Sequence, residues 1–270
     1  MLSQKDITNV SSIENSKDKN SNISDTYNFD KLQMYFGEPF QLTDKITIYQ
    51  PTIGQILEFG ELDFFNNLYI FIGNPTVFRL QLWKSGIDWN KISEYDLFSL
   101  LIQTCNKEFT QIIFGDIDFK KLKRVPVKSD NSENVVTLFD NQSNVEINLD
   151  TYNKMAAYLR TMFNIFPKTE RAKDKTTKEW MIEEEQEKLQ KSHYTSTLLP
   201  LVSGCINHPG FKYKLNELKE VGIVQFMDSV KRIQMYENSV ALNYGLYAGM
   251  RDLSSVDKKF YNFMREISDS

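Results

Sequence analysis

Histidine and cysteine are almost missing from this chain, with two of each among 270 residues. Cys105 and Cys205 are too few and too far apart to form a disulfide framework, the pattern expected of a reducing compartment. Cys205 and His208 have a C-x-x-H spacing and His193 lies nearby. A zinc site would still need a fourth ligand, from Cys105 or a carboxylate, and the spacing supplies none. The plainer expectation is a buried thiol and a turn histidine ahead of Pro209, with no activating context for a nucleophilic cysteine. Also absent are G-x-x-x-x-G-K-[ST], G-x-G-x-x-G, H-E-x-x-H and G-x-S-x-G. The 36 acidic residues are scattered, so no pair stands out as acid and base. No catalytic residue, cofactor or metal ligand is therefore expected.

Long apolar runs are lacking as well. No stretch approaches the ~20 residues of a membrane span, and the start, MLSQKDITNVSSIENSKDKNSNISDT, has no apolar core after a basic end, so no signal peptide is expected. A cytoplasmic protein is the expectation. A net charge of −4 argues against a general polyanion binder.

What the chain has in quantity is aromatic and aliphatic side chains. Aromatics make up 13%, with 19 Phe and 13 Tyr, and hydrophobic residues 41%, which is material for a substantial core. The predicted class is mainly α with a small antiparallel β hairpin or meander in the middle (α+β). Residues 1–26 read as a disordered polar tail. Residues 27–118 read as a helical region with a short leading strand in FQLTDKITIYQ, where Ile46 and Ile48 share a face. Pro51 is expected at a helix's first position, Asn74 as the cap after Gly73, and Ser93 with Asp96 as an approximate capping box. Residues 119–149 contain KLKRVPV, NVVTLFD and NVEINL between turn-rich links, three short strands.

Residues 150–270 read as helical again. Asp150 is expected to cap a helix whose Met155, Tyr158, Leu159, Met162 and Phe163 form one apolar face, ended by Pro167. The charged segment 168–192, anchored by Trp180, Met181 and Leu189, is either a solvated connecting helix or a docking arm. A short closing helix, SVDKKFYNFMREI, is expected with Ser255 or Asp257 as its cap.

Two stretches are candidate binding sites. The first is the basic cluster Lys120, Lys121, Lys123, Arg124 and Lys128. Its interleaved residues are Leu122, Val125, Pro126 and Val127 rather than base-stacking aromatics, so it reads first as a protected edge strand. The other reading is a patch for an acidic partner or nucleic acid. The second candidate is VQFMDSVKRIQMYENSVALNYGLYAGM (224–250), a single long helix whose first half is amphipathic. Its second half loses every charge and repeats small residues at Ala241, Gly245 and Gly249, with Ala248 beside them and Tyr244 and Tyr247 as a rim. Each glycine costs about 1 kcal/mol of helix propensity relative to Ala. Close packing could offset it, either within the chain or against a partner helix.

The order within QFMDSVKRIQMYENSVALNYGLYAG resembles the C-terminal region of proteins from the tail-morphogenesis genes of phages of low-GC Gram-positive bacteria. ITIYQPTIGQILEFGE followed by FFNNLYIFIGNP is similar to the opening of the same proteins, and together these cover about half of the chain. The resemblance implies a tail-assembly chaperone. Such a protein is non-enzymatic and helical, holds the hydrophobic tape-measure protein soluble, and is expected in the host cytoplasm; self-association is open. A structural tail, baseplate or neck subunit retained in the virion is the alternative, followed by a nucleic-acid-binding regulator.

Overall fold

The computed structural model describes residues 27–128, 134–249 and 256–267. The expected tail, residues 1–26, lies outside them, as does Ser255. Ten α-helices and five strands occur among the described residues, the helical body with a small antiparallel sheet that the sequence predicts.

The chain enters through α1 (Lys31–Phe36), capped by Asp30, whose carboxylate accepts from the Leu32 and Gln33 amides. A hairpin follows, β1 (Phe40–Thr43) and β2 (Ile46–Ile48), and Ile46 and Ile48 both point inward, fully buried. α2 (Ile53–Phe59) begins with a capping box of Thr52 and Gln55. Pro51 therefore precedes the cap instead of opening the helix, because Thr52 offers a hydroxyl to the first turn. α3 (Glu61–Ile72) ends at Gly73. Asn74 does accept from the Val77 amide, but that bond closes a turn, and α4 (Arg79–Lys84) starts only at Arg79. α5 (Glu94–Leu101) is capped by Ser93 as expected. α6 (Lys107–Phe114), capped by Asn106, is a helix that the sequence reading did not assign.

The middle is a three-stranded meander, β3 (Lys123–Lys128), β4 (Asn134–Asp140) and β5 (Val145–Ile147), ordered β3-β4-β5. Then comes α7 (Leu149–Phe163). Its cap is Asn148, whose side chain accepts from the Thr151 amide, and Asp150 sits inside the first turn. Asn164, in the left-handed region at φ 53°, terminates it three residues before Pro167. All five predicted apolar-face residues of α7 are buried.

An extended strap, residues 165–174, then crosses the 74–90 region. The Asn74 amide donates to the Pro167 and Lys168 carbonyls, Thr76 exchanges two bonds with Glu170, and the Asn90 amide donates to the Ala172 carbonyl. α8 (Lys175–Lys191) follows. Much of it is exposed, while Met181 and Leu189 pack against the core and Ile182 and Glu185 are buried, the latter paired with Arg79. Trp180 is exposed and anchors nothing in the core. α9 (Leu198–Asn207) and α10 (Ile223–Tyr247) complete the body. The closing helix is a single 3-10 turn, Lys258–Tyr261, capped by Asp257.

One cluster of buried side chains runs from Met34 to Val230, so the core is continuous across the divisions at 118 and 149. Its aromatic centre is Phe71, whose ring lies 4.9 Å from Phe114, 5.4 Å from Phe119, 5.7 Å from Phe98 and 5.9 Å from Phe109. A seam joins the two ends of this core. The Ile53 amide donates to the Val221 carbonyl and the Ile223 amide to the Pro51 carbonyl, both at 3.0 Å. The Val224 amide donates to the Gln50 side chain at 3.2 Å. Gly222 leaves that side chain its room, since a Cβ there would overlap the Gln50 amide.

Candidate functional site

At 3.6 residues per turn, positions 223, 226, 227, 230, 234, 237, 241, 245 and 248 lie along one side of α10. Ile223, Phe226 and Val230 are buried on it, and Met227 is half-buried. The same side then leaves the core. Gln234, Glu237, Ala241 and Ala248 are exposed and Gly245 is half-exposed. Tyr244 and Tyr247 flank this distal half at 72% and 86% exposure, the most open tyrosines described. Beyond Glu237 the chain places small and aromatic residues there, where on α8 it uses Lys and Glu.

The structure brings Ala241, Tyr244 and Gly245 together on the helix, with Tyr247 at its last turn and Ala248 as its C-cap. Gly249 is different. Its φ of +66° places it beyond the helix end, in the left-handed conformation that releases glycine at a helix stop. The small-residue repeat therefore counts two helical positions, Ala241 and Gly245, and not three.

The opposite side of α10 is closed by the chain's own residues 256–267. The Arg232 guanidinium donates to the Phe263 carbonyl at 3.0 Å and the Arg265 carbonyl at 2.7 Å, and the Ser239 hydroxyl donates to the Phe260 carbonyl at 2.9 Å. Tyr236 and Phe263 meet edge to face at 5.5 Å. Met235 and Ser239 are buried beneath this segment. One side of the distal helix is thus occupied and the other open.

α9 lies along the proximal part of the open side. Thr197, Leu198 and Leu201 share a small apolar cavity with Ile223 and Met227, and His208 reaches Glu237, so α9 and α10 run in the same sense. The Glu61 carboxylate holds the start of α9, accepting from the Thr197 amide at 2.8 Å, the Leu198 amide at 2.9 Å and the Ser196 hydroxyl. At the far end His208 Nδ1 accepts from the Gly210 amide at 3.0 Å, which leaves Nε2 to donate to Glu237 at 2.9 Å.

The other sequence candidates resolve separately. His208 does lie in a turn, and no group of three His, Cys, Asp or Glu side chains is arranged for a metal among the described residues. Burial pushes the Cys105 thiol up to about 12 and raises that of Cys205, so neither is poised as a thiolate. The basic cluster sits where β3 forms the free edge of the meander. Arg124 reaches Asp96 at 3.4 Å and Lys121 reaches Gln142 at 3.3 Å, while Lys120 and Lys123 project into solvent. The side chain of Lys128 lies outside the described residues. Exposed ion pairs of this kind contribute about 0–1 kcal/mol. Reversing Lys121 and Lys123 to Glu is expected to leave the melting curve and partner capture unchanged; capture lost with an intact fold would make the edge a binding surface.

What sequence reasoning missed is the pair of polar fastenings on α9. Glu61 was legible only as the first acidic residue of a helix, and nothing local links it to Ser196 across 135 positions. No protein-family model matches the chain, and neither a curated protein nor a solved structure matches it. Among the described residues no helix is long and apolar enough to cross a membrane.

Proposed function

We propose that this protein is a non-enzymatic assembly factor that holds an apolar helix of another protein against the distal side of α10. The observation that carries the reading is the change along one face of that helix, from Ile223, Phe226 and Val230 under the core to Ala241 and Gly245 in the open, rimmed by Tyr244 and Tyr247. Helix-in-groove recognition uses small residues for close approach and rigid aromatics for area at low entropic cost. The resemblance to phage tail-assembly chaperones makes the tape-measure protein the expected client.

Gly245→Leu tests this. Leucine fills the approach while adding about 0.8 kcal/mol of helix propensity at a half-exposed position. The melting temperature is expected to hold or rise, and co-purification with a co-produced tape-measure protein is expected to fall at least tenfold. A destabilised protein, or an unimpaired complex, overturns the reading.

A further inference from the structure

Among the ten described α-helices, α9 alone carries no charged side chain, in the sequence LLPLVSGCIN. An uncharged apolar helix ordinarily belongs inside. Here only Cys205 is fully buried, Leu199 is 65% exposed, and Leu198, Leu201, Val202 and Ile206 are only partly covered. α7, by comparison, buries nine residues. Under the first turns of α9 lies an apolar cavity of about 20 Å³, room for one water and too apolar to hold it. The floor of that cavity is Phe65, Phe163, Ile165, Ile223 and Met227. The polar contacts that hold the helix are at its two ends, Glu61 before it and His208 with Glu237 after it.

We infer that α9 is a displaceable cover on the proximal part of α10's binding side, and that an uncharged apolar helix takes its place. The chemistry of the occupant is written in α9 itself, which has no charge and offers Ser203 and Gly204 as small residues. A segment with few buried apolar contacts belongs to the low-stability end of local opening. Once α9 leaves, the floor of its cavity, Phe65, Phe163, Ile165, Ile223 and Met227, is bared beside the open stretch of α10. A client helix gains that apolar floor as its seat, and α9 keeps the seat closed in the free protein. The inference deepens the proposed function, and it rests on that reading for what arrives.

Hydrogen exchange on the full chain reads the cover without any client. Amides of residues 198–207 are expected to exchange at least 100-fold faster than those of residues 155–162. Glu61→Ala is expected to speed them a further tenfold, and Glu61→Gln, which keeps an acceptor oxygen, to return them toward the parent rate. A fluorescent, lysine-flanked peptide of residues 197–207 is expected to bind the Glu61→Ala protein at least tenfold more tightly than the parent. If Glu61→Ala does not fold, Leu201→Ala must give the same local acceleration with the cap intact. Exchange of 198–207 in one step with 155–162, equal peptide binding to both proteins, or a Glu61→Ala dimer that excludes the peptide each overturns the inference. Failure here leaves the distal-face reading standing, because that reading is decided by Gly245→Leu and its client.

Discussion

Replacing Arg160 by methionine is expected to cost about 3–5 kcal/mol, at the lower end because Glu94 keeps some water. Arg160 is a charged residue of α7 buried in the core. Its guanidinium donates twice to the Ile72 carbonyl, at 2.9 and 2.7 Å, and once to Glu94 at 2.8 Å. The Ile72 carbonyl is among the last four of α3, which have no partner within the helix. One side chain therefore closes the end of α3 and the beginning of α5 from a position on α7. Methionine keeps much of the stem's volume and removes all three bonds, leaving an orphaned carbonyl and an unpaired carboxylate. For a chain of this length the loss corresponds to a fall in melting temperature of roughly 5–9 °C. A change within two degrees of the parent would show that water replaces the guanidinium at no cost.

Phe71→Ala is the second large effect, at about 3–5 kcal/mol. Phe71 is fully buried and is the ring to which Phe98, Phe109, Phe114 and Phe119 all turn. These come from α5, α6 and the 3-10 turn Phe119–Lys121, so the cavity left by alanine is walled by four rigid rings on three elements. Such a site collapses poorly, and the cost rises with the volume that stays empty. Phe71→Leu is expected to cost less than half as much. Urea unfolding with an unchanged slope checks both; equal midpoints for the two variants would mean that the cluster repacks freely.

The helical periodicity of α7, the alternation around Ile46 and Ile48, and the Ser93 cap were legible because each is local, a matter of residues within one or two turns. Capping was less so. Asn148 and Asp150 are both good cap residues, and the choice between them depends on where Ile147 leaves β5, which no local rule contains. Trp180 looked like an anchor on bulk alone, yet the pairing of Arg79 with Glu185 turns the other side of α8 inward. The distal face of α10 was readable as a pattern of small and aromatic residues. That it is open, and that residues 256–267 cover the reverse side instead, depends on chain geometry beyond the helix. The fastening of α9 by Glu61 joins residues 135 positions apart and leaves no local trace.

The seam at Pro51 and Gly222 sets a timetable for synthesis. Gln50 and Val224, bonded across it, stand 174 positions apart. At translation rates of ~5–20 residues per second, on the order of 10–35 s separate their appearance. Through that interval α2 and the hairpin before it have made their half of the seam and have nothing to close it. Loop-closure entropy grows only slowly with such a distance, so the delay is one of arrival and not of equilibrium. The nascent chain therefore carries an open apolar edge until Ile223 and Phe226 emerge, and α10 completes the first part of its core.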